Sequence, residues 1–160
     1  MKKDKFFNPD YKPDENTCME IENLHKEGKS LSGIQLQFSD MKNANLINAN
    51  LSNSDLTRAD FSRASMYGVT LEGANLFKTN FEGANLKAAN MKNSNMLGAD
   101  FSNTKLNNVD WNKDYKVINE MEAEQALSSG DVDTAKDKYR ESEDIYRSLK
   151  ITLEAQSLGE

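Results

Sequence analysis

The stretch Ala74-Asn75-Leu76-Phe77-Lys78-Thr79-Asn80-Phe81-Glu82-Gly83-Ala84-Asn85-Leu86-Lys87-Ala88 decides the fold. A large apolar residue, Leu76, Phe81 or Leu86, returns at every fifth position. Two places before each lies a small or β-branched residue, and one place before lies Asn. Followed outward in both directions, this register runs from Ile34 to Lys113 without a slip, sixteen repeats in all. The central residues are Leu36, Met41, Leu46, Leu51, Leu56, Phe61, Met66, Leu71, Leu76, Phe81, Leu86, Met91, Met96, Phe101, Leu106 and Trp111. The place before the centre is Asn or Asp in twelve of the sixteen. Leu31 fits the frame one step earlier, but its neighbours do not.

A period of five excludes the ordinary elements. On an α-helix it would rotate the apolar position by about 140° per repeat and smear it around the axis. On a strand, an odd period would flip it to the opposite face each time. The chain must therefore turn a corner once per repeat, and its Asn, Asp, Gly and Ser content suits frequent turns. The central phenylalanines Phe61, Phe81 and Phe101 are spaced by twenty. Four repeats per coil would stack them in one inner column, with Met41 completing it, an arrangement favourable for aromatic rings. Four coils follow: Ile34–Asn53, Ser54–Gly73, Ala74–Asn93 and Ser94–Lys113. Each coil buries its open edges only against its neighbours, so both ends need caps.

The pattern Ala-Asn/Asp-Leu/Phe-x-x, as in Ala44-Asn45-Leu46, Ala59-Asp60-Phe61 and Ala84-Asn85-Leu86, resembles the pentapeptide-repeat family. That resemblance implies an all-β solenoid, a right-handed quadrilateral parallel β-helix. Some family members protect DNA gyrase by presenting an acidic, DNA-like rod.

The flanks divide the chain into an N-terminal arm and capping helix (1–33), the solenoid (34–113) and a C-terminal α-helical hairpin (114–160). Met1 to Pro13 reads as an extended arm. Asn16 to Glu27 reads as a short helix, with Asn16 or Thr17 as its cap, one face of Cys18, Ile21, Leu24 and His25, and Gly28 as its stop. In the C-terminal part, Asn119 with Glu122 resembles a capping box, Gly130 breaks the first helix, and a second runs from Val132 to Leu158. Its apolar face comprises Val132, Ala135, Tyr139, Tyr146, Leu149 and Leu153. The hairpin is expected to close the solenoid near Trp111, on its own chain or on a second copy.

Chemistry finds little purchase in the 160 residues. There is one histidine, His25, and one cysteine, Cys18, so neither a histidine metal cluster nor an internal disulfide can form. Gly68, Gly73, Gly83 and Gly98 all fall at the last place of a repeat and read as turn residues, not as a phosphate loop. No enzyme, cofactor or metal is expected. No apolar run reaches the roughly 18 residues of a membrane span, and no signal peptide is evident, so a cytoplasmic location is expected.

The net charge is −6, with 26 acidic and 20 basic residues. Residues 34–113 carry seven acids and eight bases, net +1, residues 1–33 net −1, and residues 114–160 net −6. A near-neutral rod is a poor mimic of a polyanion, which disfavours the reading as a DNA-mimic inhibitor or protector of a type II topoisomerase. No basic stripe with aromatics appears, so direct nucleic-acid binding is not expected either. What remains is a protein-interaction or scaffold module, its partner a foreign protein or a second copy in a homodimer. Two outward apolar pairs are candidate patches: Phe77 with Leu97, and Ile47 with Tyr67 on the opposite face.

Overall fold

A computed structural model describes residues 4–110, 123, 126–138 and 140. Its central part is a four-sided coil of twenty residues per circuit. Parallel bridges join each residue before a centre to the residue twenty further on: Asp40 to Asp60, Asp60 to Asn80, Asn80 to Asp100, and likewise on the other three sides. Each side contributes one bridge residue and then turns, so among the described residues the β-structure consists of isolated bridges and no longer strand.

Five consecutive residues, Asp60–Ala64, show why this pattern is stable, because all five of their backbone N–H groups find acceptors. Asp60 donates back one coil to Ser39 O at 2.9 Å. Phe61 and Arg63 donate forward one coil to Asn80 O and Glu82 O, both at 2.8 Å. Ala64 closes the turn onto Phe61 O at 3.0 Å. The remaining donor, Ser62 N–H, lies on the corner and is taken by the side chain of Asp60, at 2.9 Å from Oδ1. The same side-chain bond recurs from Asp40, Asn50, Asp55, Asn75, Asn80, Asn85, Asn90, Asn95 and Asp100. This bond accounts for the Asn/Asp preference: a short side chain carrying an acceptor is what the corner donor needs.

The last place of each repeat has positive φ. Arg63 stands at 58°, Asn43 at 59° and Gly73 at 69°. Asn and Gly recur there because the left-handed region costs them least.

Inside, the central residues and their small partners are buried along the described coils, apart from Val109 near their end, which is only partly covered. Phe61, Phe81 and Phe101 stack with ring centroids 5.8 and 5.5 Å apart and planes within 19° and 13° of parallel. Where the small inward place is a hydroxyl residue, it bonds to a turn carbonyl. Thr79 donates to Leu56 O at 2.8 Å and Thr104 to Phe81 O at 2.7 Å. A tube this narrow can therefore hold polar side chains without stranding them.

The N-terminal cap substitutes for a missing coil. Leu31 is fully buried, and its N–H donates to Asn50 O, so the ladder begins three residues before Ile34. Helix α1, Thr17–Lys26, buries Ile21 and Leu24 on the solenoid core. Its Glu22 accepts from Asn45 N–H at 2.7 Å, and His25 Nε2 lies 2.8 Å from Ile47 O. Both are groups that a preceding coil would otherwise have met. Gly28, at φ 74°, ends the helix, with Lys29 N–H reaching Leu24 O and Gly28 N–H reaching His25 O. Two expectations need correction. Asn16 makes no side-chain capping bond; instead, Thr17 Oγ1 accepts from Asp14 N–H. The arm is not extended throughout: Asp4–Phe7 forms a 3-10 turn. Phe6 is fully buried there, and its carbonyl accepts Gln35 N–H at 2.6 Å. Burying an aromatic ring outweighs what an extended arm would gain from solvation.

At the other end, Gly130, at φ 82°, closes a helical stretch through Gly130 N–H to Leu127 O and Asp131 N–H to Ala126 O. Asp131 then caps the next helical stretch, accepting Thr134 N–H at 3.1 Å. Ala123 and Ala135 are buried. Val132, placed with Ala135 on one apolar face, is instead 49% exposed. It is the first helical residue after the Asp131 cap, at the exposed turn between the two helical stretches. Trp111, Tyr139, Tyr146, Leu149 and Leu153 lie outside the described residues, as does the capping box at Asn119.

Candidate interaction surface

Outward side chains gather at the four corners, and the twenty-residue register turns each corner into an edge running along the rod. The first edge carries Gln37-Phe38, Thr57-Arg58, Phe77-Lys78 and Leu97-Gly98. The second carries Lys42-Asn43, Ser62-Arg63, Glu82-Gly83 and Ser102-Asn103, the third Ile47-Asn48, Tyr67-Gly68, Lys87-Ala88 and Asn107-Asn108. The fourth carries Ser52-Asn53, Glu72-Gly73 and Lys92-Asn93. Successive coils are about 4.8 Å apart, the spacing of hydrogen-bonded parallel chains.

The third edge carries the Ile47–Tyr67 pair, 42% and 47% exposed on consecutive coils. Asn48 packs its amide against Gly68, whose missing Cβ leaves room for it. That cushion seats Tyr67 on a rigid corner. His25 fixes Ile47 from below through its carbonyl.

The first edge departs from expectation. Leu97 is only 8% exposed and Phe77 is half-buried, so this pair is not the open patch it was taken for. The register sets the Leu97 side chain directly over Phe77, about one coil spacing away, so each covers the other's flank. The exposed large apolar residue of this edge is Phe38, at 70%, which sequence reasoning missed because no apolar residue lies twenty places from it. The signal was there nonetheless. Phe38 occupies the last place of a repeat, where Asn or Gly belongs, and it adopts φ 63°. A bulky side chain in the left-handed region is strained by about 1 kcal/mol or more. Arg58 lies over the Phe38 ring at 6.0 Å, and Lys78 over the Phe77 ring at 5.2 Å.

The second edge frames a groove lined by Lys42, Asp60, Arg63 and Glu82, with charges of both signs side by side. Lys42 pairs with Asp60 at 3.7 Å, and on the fourth side Lys92 pairs with Asp110 at 3.1 Å. Among the described residues no group of His, Cys, Asp and Glu is placed to hold a metal ion. Cys18 is partly buried, and desolvation, with Glu22 and Asp40 nearby, pushes its thiol up to about 11. Such a thiol is protonated and weakly nucleophilic near neutrality.

A family profile of pentapeptide repeats matches residues 30–68, 39–77 and 71–108, with eight copies. The chain belongs to the pentapeptide-repeat family. Proteins of this family form right-handed quadrilateral β-helices, and the twenty-residue coil with a turn on each side is consistent with that architecture. Among solved structures, the chain is similar to HetL, a pentapeptide-repeat protein involved in heterocyst differentiation regulation in Nostoc sp. PCC 7120. The identity is 33% over 49% of this chain and 35% of HetL, with a TM-score of 0.37. It is similar to Rfr23 of Cyanothece 51142 at 34% identity, over 53% of this chain and 58% of that one, with a TM-score of 0.30. It is also similar to a pentapeptide-repeat protein of the Arabidopsis thaliana thylakoid lumen at 29%, over 52% and 73%, with a TM-score of 0.29. The matched part thus spans about a third of HetL (35%) and under two thirds of Rfr23 (58%). No curated protein sequence matches the chain.

Proposed function

We propose that this pentapeptide-repeat protein is a non-catalytic interaction module, wound with the right hand of its family, which holds a partner protein against its third edge. The observation that carries this reading is the exposed Ile47–Tyr67 pair on a corner fixed by Asn48 and Gly68. An exposed tyrosine beside an aliphatic residue on rigid backbone is the composition of an interface anchor, since little conformational entropy is lost when a partner covers it. Lys87 continues the edge on the next coil and offers a cationic rim.

The competing reading, a DNA-mimic inhibitor of a type II topoisomerase, requires a continuous anionic face. The acids of the rod are interleaved with Lys42, Arg63 and Lys92, and Asp60 and Asp110 are each engaged by a lysine. A gyrase supercoiling assay is expected to show no dose-dependent inhibition. Clear inhibition would promote the competing reading. The partner face is tested by placing a photo-crosslinking residue at Tyr67 and, as control, at Asn53 on the fourth edge. Specific adducts from Tyr67 alone, lost on competition with untagged protein, support the reading; equal yields from both positions overturn it. A cytoplasmic location accords with such a role. Among the described residues no helix is long and apolar enough to cross a membrane.

A further inference from the structure

The first edge carries a second surface whose composition points to a different occupant. Phe38 is the most exposed large apolar residue of the described chain, and it fills a left-handed turn position where a bulky side chain is strained and where the core gains nothing from it. Arg58 and Lys78 follow it along the edge, each over an aromatic ring, and among the described residues neither has a carboxylate partner. No acid occupies this corner on any of the four coils, whose residues there are Gln37-Phe38, Thr57-Arg58, Phe77-Lys78 and Leu97-Gly98. An occupant must therefore bring apolar side chains flanked by negative charge.

The same chain carries such a group at its other end. The turn between the C-terminal helical stretches exposes Leu127 and Val132, at 47% and 49%, with Asp131 and Asp133 beside them. The turn is well defined: Gly130 closes one stretch, and Asp131 caps the next through both carboxylate oxygens to Thr134. Within one chain the two surfaces do not meet, because Phe38, Leu127 and Val132 are all exposed.

We propose that the protein self-associates, the Leu127–Asp133 turn of one copy docking on the Phe38–Arg58–Phe77–Lys78 edge of a second. Leu127 and Val132 cover the Phe38 ring, and Asp133 faces Arg58 and Lys78. The two contacting surfaces differ, so a closed pair needs the contact twice, each copy lending its turn to the other's edge. The contact is small, which makes the dimer weak and dependent on concentration and salt. This inference is independent of the partner face on the third edge.

Sedimentation velocity of the full chain over a micromolar concentration series tests it. The wild type is expected to shift from monomer to dimer, with weaker association at high salt. Phe38→Asn is expected to weaken association at least tenfold while remaining fully folded, since Asn suits the left-handed position. Arg58→Glu is expected to weaken it, and adding Asp133→Arg to restore it. A wild type that is monomeric at every concentration would overturn the proposal, as would a dimer that Phe38→Asn and Val132→Ser leave unchanged. Tyr67→Ser separates the two surfaces: it is expected to leave sedimentation unaltered.

Discussion

Two aromatic sets run along this rod and owe their presence to different causes. The inner one, Phe61–Phe81–Phe101, is a continuous stack with every ring fully buried. The outer one, on the first edge, has Phe38 open to solvent, Arg58 across its ring, and Phe77 half-covered under Leu97. In the inner column, the identity of the residue is what holds the coil closed. In the outer one, the backbone would be better served by another residue. Burial and backbone strain distinguish the stabilising column from the exposed one.

That contrast can be broken most directly at Phe81. Phe81→Ala is expected to cost about 3–5 kcal/mol, as for buried aromatics generally, read from denaturant unfolding. A loss below about 1 kcal/mol would mean that the inner stack is not what closes the coil. Gly68→Ala comes next, with a loss of about 1–2 kcal/mol, because the new Cβ meets the Asn48 amide and the left-handed backbone resists it. An unchanged midpoint would show that the corner relaxes freely. Asn80→Ala removes the acceptor for Glu82 N–H, at 2.9 Å, and is expected to cost about 1 kcal/mol. Hydrogen exchange should speed up at Glu82 more than at its neighbours; uniform protection would refute the corner role of the Asn/Asp position. The smallest effect has the opposite sign. Phe38→Asn is expected to stabilise the fold by up to about 1 kcal/mol, since it relieves strain and gives up little burial. If it destabilises, the outer set is structural after all, and the contrast collapses.

The repeat was legible because each of its positions answers one physical demand. Volume inside the tube selects a large residue and a small one, the corner donor selects Asn or Asp, and the left-handed place selects Asn or Gly. Twenty-residue spacing of the central phenylalanines disclosed the four-repeat coil. The flanks answered to no such repetition. Nothing local distinguishes Phe6, buried in the cap, from Phe7 beside it, which is only partly covered, because the surface that receives Phe6 is made by residues far along the chain. The candidate surface was half legible. Ile47 and Tyr67 followed from register, but the covering of Leu97 depends on neighbours in space. Phe38 called for a test of backbone conformation that counting apolar residues does not make.

The corner bond from each Asn or Asp to its own repeat has a consequence for how such rods change in length. Because that bond is internal to five residues and the others join a coil only to its neighbours, adding material does not disturb what lies beyond. Twenty extra residues would move everything downstream by one step of about 4.8 Å and keep every outward group on its own edge. Five extra residues would leave the interior just as well filled but turn everything downstream by a quarter of the circumference. Phe77 and Lys78 would then leave the line of Phe38 and Arg58 while the core continued unbroken. The rod behaves as a combination lock whose dials advance in units of five: the fold tolerates any setting, and a binding partner recognises one.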